Sequence, residues 1–453
     1  MLRNLLMVIL FFSTTLFSQT SSWQTLNSVP VVSRYNDIYF VTPTLGWIAN
    51  GSGQIYRTLD GGVSWVKQFE KSAAHFRSIG FVDSLNGWAG NVGPGEFDAT
   101  DTSTIYQTTD GGTTWAAVRS YIGPKPRGLC GMHVVNDSVV CAVGRVRGPA
   151  FFARTTNRGK TWTSKDMSQY AAGLIDVYFF HPDTGVAVGL TNVDHNSSSG
   201  VVLFTVDGGQ TWEKRFTTTR VGEWCWKISF PSKKVGYASI QRNSRIANQF
   251  LKTTDGGKTW QEKPFPINQY FIQGIGFIND SLGWIGGNST ASSGYQTMDG
   301  GETWQPAGFG TSLNRFRFLN DTLGYASGQR AYKYVAKTTG VAERAQTIPK
   351  SFSLEQNFPN PFWSAATSPA FGGGNLSTTI QFSLPKASNV RITVFDVNGR
   401  QLDDILNQTR AAGTHTVIWD AADKEGRPLS AGVYFYKLTA ADFTATRKLI
   451  LLR

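Results

Sequence analysis

Six near-copies of one eight-residue phrase, Thr-x-Asp-Gly-Gly-x-Thr-Trp, run along this chain at almost even intervals. Their third positions are Asp60, Asp110, Asn157, Asp207, Asp255 and Asp299, separated by 50, 47, 50, 48 and 44 residues. Each copy closes on a tryptophan: Trp65, Trp115, Trp162, Trp212, Trp260 and Trp304. A period of this length corresponds to one four-stranded unit of a radial array, the β-propeller. The phrase predicts a tight hairpin turn, because glycine reaches backbone angles other residues resist and the Asp carboxylate accepts hydrogen bonds from turn amides. Thr and Trp then fall on strand ends, where the large ring buries against a neighbouring unit. Six equivalent sites in six equivalent units are a construction device, not six active sites. Asn157 keeps a side-chain oxygen, and Arg158 stands where the other copies carry their first glycine.

Upstream of each turn comes an apolar strand, a polar turn and a Gly-aromatic strand, as in Ile38-Tyr39-Phe40-Val41 with Leu45-Gly46-Trp47-Ile48. A seventh such unit, Phe316–Leu319 with Leu323–Ala326, continues through Ala331–Val335 but ends without the phrase or its tryptophan. The missing outer strand is found at the other end of the chain, as Ser22-Trp23-Gln24-Thr25. Lending that strand to the last unit removes an exposed sheet edge. The expectation is therefore an all-β fold: a seven-bladed β-propeller over 19–336 closed by its N-terminal strand, with six blades and a decayed tail as the alternative.

Arg3, the apolar run Leu5–Phe12 and the Ser18-Gln19 step read as a secretory signal peptide over 1–18. No later stretch reaches the roughly 18 apolar residues that span a bilayer. The mature chain is thus expected outside the cytoplasm, secreted or on the cell surface. Three cysteines give no disulfide framework. Cys130 and Cys141 lie on consecutive predicted strands and are one candidate pair; Cys225, between two tryptophans, reads as a small buried hydrophobe. The five histidines are scattered, so no metal site and no cofactor are expected.

Beyond Val335 the pattern stops. Residues 337–351 read as a linker, and 352–453 as a small immunoglobulin-like β-sandwich, with short alternating strands separated by the turn signals Asn398-Gly399 and Ser430-Ala431-Gly432.

The eight-residue phrase resembles the Asp-box, or BNR repeat. Together with the Gly-aromatic strands it also resembles the photosystem II stability/assembly factor family over most of Ile38–Trp304, a likeness carried by repeat-defining residues that implies fold rather than role. Sialidases and some endoglucanases carry such boxes too. They need an arginine cluster with Tyr/Glu or paired carboxylates across a central cleft, and no such set is assigned from this sequence. At the other end, Asn357–Phe362, Thr378-Thr379-Ile380, Ala431–Tyr434 and Lys448–Arg453, in that order, resemble the type A C-terminal sorting domain of the type IX secretion system. That resemblance implies delivery across an outer membrane by the type IX machinery, and departs from the family at an insertion over Trp363–Leu376.

Strand alternation puts the boxes on one face with the acidic one-two turns at Asp83, Asp137, Asp183, Asp280 and Asp321. The other face receives loops of unequal length and many basic residues, and uneven loops on a rigid support are the usual place for recognition. Arg127, Arg145, Arg147, Arg220, Arg242, Arg245 and Arg330 are the candidate binding residues, for an anionic glycan or an acidic protein surface. Arg119, Lys125, Arg215 and Arg315 fall on the same side in this reading. With no recognition helix, nucleic acid is not an expected partner. Glu96, Asp98, Asp101 and the Asp194-His195 pair are the residues of that face suited to catalysis or calcium binding. Isolated acidic loop residues are mostly solvated, so the expectation is a non-enzymatic binding module, with a sialidase-like or other glycoside hydrolase as the alternative.

Overall fold

The computed structural model describes residues 23–242, 247–268, 270–287, 293–336, 349, 351–357, 360–363, 378–419, 421–423, 427 and 429–452. The segment expected as a signal peptide (1–18) lies outside them, as does the expected linker (337–351) apart from Pro349 and Ser351.

Through Val335 the described residues form four-stranded antiparallel sheets, each built from consecutive strands but for one. Tyr35–Phe40, Gly46–Asn50, Gln54–Thr58 and Val66–Glu70 make the first. Burial falls from the inner strands to the outer one: Gly46–Asn50 is buried throughout, whereas Val66–Glu70 has no fully buried residue. Among the described residues there are seven sheets of this kind. Their first strands (Tyr35–Phe40, Phe76–Phe81, Gly131–Val134, Gly173–His181, Glu223–Ser229, Ile272–Phe277 and Arg315–Phe318) touch in that order, and the last touches the first, so they surround a common axis.

The exception is the seventh sheet. Its outer strand is Trp23–Leu26, paired antiparallel with Ala331–Val335 so that Trp23 faces Tyr334 and Thr25 faces Tyr332. This is the N-terminal closure the sequence indicated. Trp23 stacks on Phe309 at 4.5 Å and meets Trp284 edge-on at 5.4 Å. The seam is also bolted by Tyr325, which stacks on Phe40 of the first sheet at 3.5 Å and donates to the Pro43 carbonyl. The same joint recurs elsewhere. Trp47 stacks on Phe81 and Tyr237 on Phe277, each at 3.5 Å, which is why the Gly-aromatic strand repeats with the turns.

The three cysteines are all free and buried, so Cys130 and Cys141 do not pair. Cys141 faces His133 across its hairpin, and its thiol, like that of Cys130, is pushed up to about 12 by burial. Cys225 is a buried member of an apolar cluster with Ile228, Ile240 and Leu251.

The C-terminal unit pairs a three-stranded sheet (Ser353–Leu354, Thr378–Leu384, Gly413–Trp419) with a five-stranded one ending in Phe443–Leu452. One core that includes Ile380, Phe382, Ile392, Tyr436, Leu438 and Leu449 draws on both sheets, as in an immunoglobulin-like sandwich.

Candidate functional sites on the ring and the sandwich

The six repeated turns share one hydrogen-bond scheme. In the second copy the Thr108 hydroxyl donates to Asp110 and accepts from the Gly112 amide, while the Thr114 amide and hydroxyl both donate to Asp110. The other five repeat it, with Asn157 donating its amide to the Thr161 hydroxyl in place of a second carboxylate contact. The Ser64 and Thr114 groups hold Asp60 and Asp110 at about 2. At Asp299 burial opposes the shift, and Thr303 overrides it to the same value. Each acid is satisfied within its own turn. Trp115, Trp212, Trp260 and Trp304 donate back to the second glycine of their turns, sealing the strand end. Arg158 adopts a left-handed φ of 58° and bridges Asp83 of the second sheet and Asp137 of the third.

A different site lies on the axis. Five of the innermost strands carry a register shift, at Tyr35/Asp37, Phe76/Ser78, Leu174/Asp176, Cys225/Ile228 and Ile272/Gly274. Bulges of this kind re-aim side chains, and the residues at these places are Asn36, Asp37, Arg77, Asp176, Lys227 and Gln273. Arg315 grips Asp176 with two bonds of 2.7 Å, and Arg317 donates to Asp37 at 3.0 Å. Arg34 donates to Asn36 and Gln273, and the Asn314 amide reaches the Asn36 carbonyl. Burial alone would raise the Asp176 carboxyl, but the Arg315 and Lys227 charges override it and hold it at about 2. Sequence reasoning missed this cluster and placed Arg315 on the loop rim. The available signal was a charged residue interrupting an otherwise apolar first strand in successive repeats. A cavity of about 800 Å³ opens above it toward the repeated turns, with Tyr39, Tyr178, Phe230 and Phe318 on its walls and Arg315 and Arg317 among its lining residues.

On the loop side, Arg145 and Arg242 are largely internal. Arg145 donates to the Gly148 and Pro94 carbonyls and sits 3.4 Å from the buried Glu96, tying two loops together. Arg220 and Arg242 both pair with buried Glu223, at 2.7 and 3.0 Å. Arg330 donates to the Asn27 carbonyl at the ring seam. Arg245 lies outside the described residues. Of the seven candidates these partners leave Arg127 and Arg147 exposed, beside exposed Lys125 and Arg119. A cavity of about 310 Å³ on this side is lined by Pro94, Thr102, Lys125, Pro126, Arg127 and Arg145, three cations and no acid.

The acidic candidates of this face divide. Glu96 is buried, which raises its pKa against the pull of the Arg147 amide and Arg145. Asp101 accepts from Tyr106 and Ser103, Asp98 is exposed, and Asp194 caps the short turn His195–Ser197. They do not converge on one point: Glu96 and Asp194 belong to different loops with separate partners.

In the sandwich, segments far apart in sequence come together. Asn357 donates to the Thr378 hydroxyl and its amide to Tyr436. Asn360 accepts from the Ile450 amide, and Phe362 lies beside Leu451 in a parallel bridge. Val433 faces Ile450 across the adjoining hairpin. Of the Trp363–Leu376 insertion, only Trp363 is among the described residues.

A family model for the FlgD Ig-like domain matches residues 365–443. Among solved structures, YCF48 bound to a D1 peptide is similar over 70% of this chain and 96% of its own, at 19% identity and a TM-score of 0.52. YCF48 from Cyanidioschyzon merolae is similar over 69% and 98%, at 17% identity and a TM-score of 0.52. The GH74 xyloglucanase from Xanthomonas campestris is similar over 71% of this chain and 54% of its own, at 13% identity and a TM-score of 0.51. Likeness at these identities shows a propeller-like fold alone. No curated protein matches the chain.

Proposed function

We propose that this chain is an exported, non-enzymatic binding module: a seven-bladed Asp-box propeller that takes an acidic partner on its loop face, delivered to the cell surface by a type IX sorting domain. The observation that carries the binding reading is the cavity lined by exposed Lys125 and Arg127, with the Glu96-paired Arg145 beside them. Two exposed cations on braced loops form a fixed field for carboxylates or sulfates. The bracing by Glu96 gives that field its rigidity.

A hydrolase reading requires one carboxyl that holds a proton at working pH and a second that does not. Asp37 and Asp176 are the paired acids on the axis, and both are clamped by arginine, Asp176 at about 2. Asp176, held at that value, is not suited to donate a proton to a leaving group. The export reading is supported by the way Asn357, Thr378, Phe362 and the last strand meet at one place in the sandwich.

The test is retention of the full chain on an immobilised acidic polysaccharide such as polygalacturonate, beside an acidic protein. Wild type is expected to be held at near-physiological ionic strength and released by salt. The Lys125→Glu/Arg127→Glu variant is expected in the flow-through, and undiminished retention of that variant contradicts the reading.

A further inference from the structure

The axial network is unbalanced. Arg34, Arg77, Lys227, Arg315 and Arg317 converge there against Asp37 and Asp176, with Glu96 close enough to act on Arg77. The acids are already taken. Asp176 holds Arg315 and the Ile228 amide; Asp37 holds Arg317, Arg315 and the amides of Ile38 and Ile79. Glu96 is occupied by Arg145 and the Arg147 amide.

Two cations remain. Arg77, on the first strand of the second sheet, and Lys227, on that of the fifth, are both completely buried. Nε and Nη2 of Arg77 and Nζ of Lys227 have no hydrogen-bond partner among the described protein atoms. The remaining Arg77 nitrogen meets Asn36 only at 3.5 Å. The Arg77 guanidinium lies over Trp226 at 5.2 Å and over Phe97 at 5.3 Å, which accommodates the ion but supplies no acceptor for its N–H groups. The Arg77 guanidinium sits over Trp226, the chain neighbour of Lys227, so the two cations share one neighbourhood even though their strands belong to sheets on opposite sides of the ring. Unpaired buried ammonium and guanidinium groups demand a compensating charge.

We propose that a small inorganic anion of halide size binds on the ring axis between Arg77 and Lys227. It accepts from Lys227 Nζ and from the free edge of Arg77, and links the second sheet to the fifth across the centre. The buried position favours a compact monovalent ion over a phosphate or an organic acid. Burial, with repulsion from Arg315 and Arg77, pulls Lys227 down to about 7 against Asp176 and Asp37; an adjacent anion keeps the ammonium charged. The site is independent of whatever the loop face binds.

Crystals of the full chain grown in sodium bromide test this without any variant. Anomalous density on the axis beside Lys227 is expected; bromide peaks confined to the outer surface overturn the proposal. In solution, the melting temperature is expected to rise as chloride replaces methanesulfonate at constant ionic strength. Lys227→Met is expected to raise the half-maximal chloride concentration about tenfold or more. Equal melting temperatures in both salts, or an unchanged chloride response in Lys227→Met, also overturn it.

Discussion

At the rim, each Thr-x-Asp-Gly-Gly-x-Thr-Trp turn completes its hydrogen bonds inside its own few residues: Asp110 is served by Thr108 and Thr114. On the axis, Arg315 reaches Asp176 across 139 positions of chain and Arg317 reaches Asp37 across 280. The rim is modular, so losing one turn leaves five intact. The axis is shared: its ions bind sheets one, four and seven together, and none has a substitute. Repetition therefore marks the scaffold, and departures from repetition mark the places where the ring has individual character.

The sharpest break comes from Arg315→Met, which leaves buried Asp176 without its arginine. A loss of about 3–5 kcal/mol is expected in urea unfolding. If the pair rather than the charge matters, Arg315→Met with Asp176→Leu should recover much of it. Next comes the seam, where Trp23→Ala removes the ring stacked on Phe309 and should cost about 3 kcal/mol by the same measurement. At the rim, Asp110→Ala should cost only about 1 kcal/mol, because its partners reach water once freed.

Acid acts on the rim over the same window as on the axis, where Asp176 too is held at about 2. Asp60, Asp110 and Asp299 are held near 2, below the ordinary 3.8, so the folded state binds fewer protons than the unfolded one. Their contribution is complete above pH 4 and fades as pH falls toward 2, which melting curves across that range would show. An Asp110→Ala chain should lose less stability over the same window. The smallest effect is Asn157→Asp, which restores the common scheme beside Arg158 and Lys160 and should stabilise by no more than about 0.5 kcal/mol.

The turns and the borrowed strand were legible because both are local patterns: an eight-residue phrase and an orphan Trp23 matched to a unit lacking one. The axis was not, since single charges such as Arg77 and Lys227 gain meaning only when strands 150 positions apart meet. Loop arginines misled for a related reason. Arg145, Arg220 and Arg242 look like free surface cations in sequence, yet buried Glu96 and Glu223 claim them. Lys125 carried less weight than they did and proves to line the basic cavity.

Hydrogen–deuterium exchange on the full chain addresses the closed ring most directly. Amides of Trp23–Leu26 should exchange as slowly as those of their partner strand Ala331–Val335, and deleting residues 23–26 should release that partner. Free-peptide exchange of Trp23–Leu26 beside a protected Ala331–Val335 would contradict the closure and, with it, the axis on which the charged network depends.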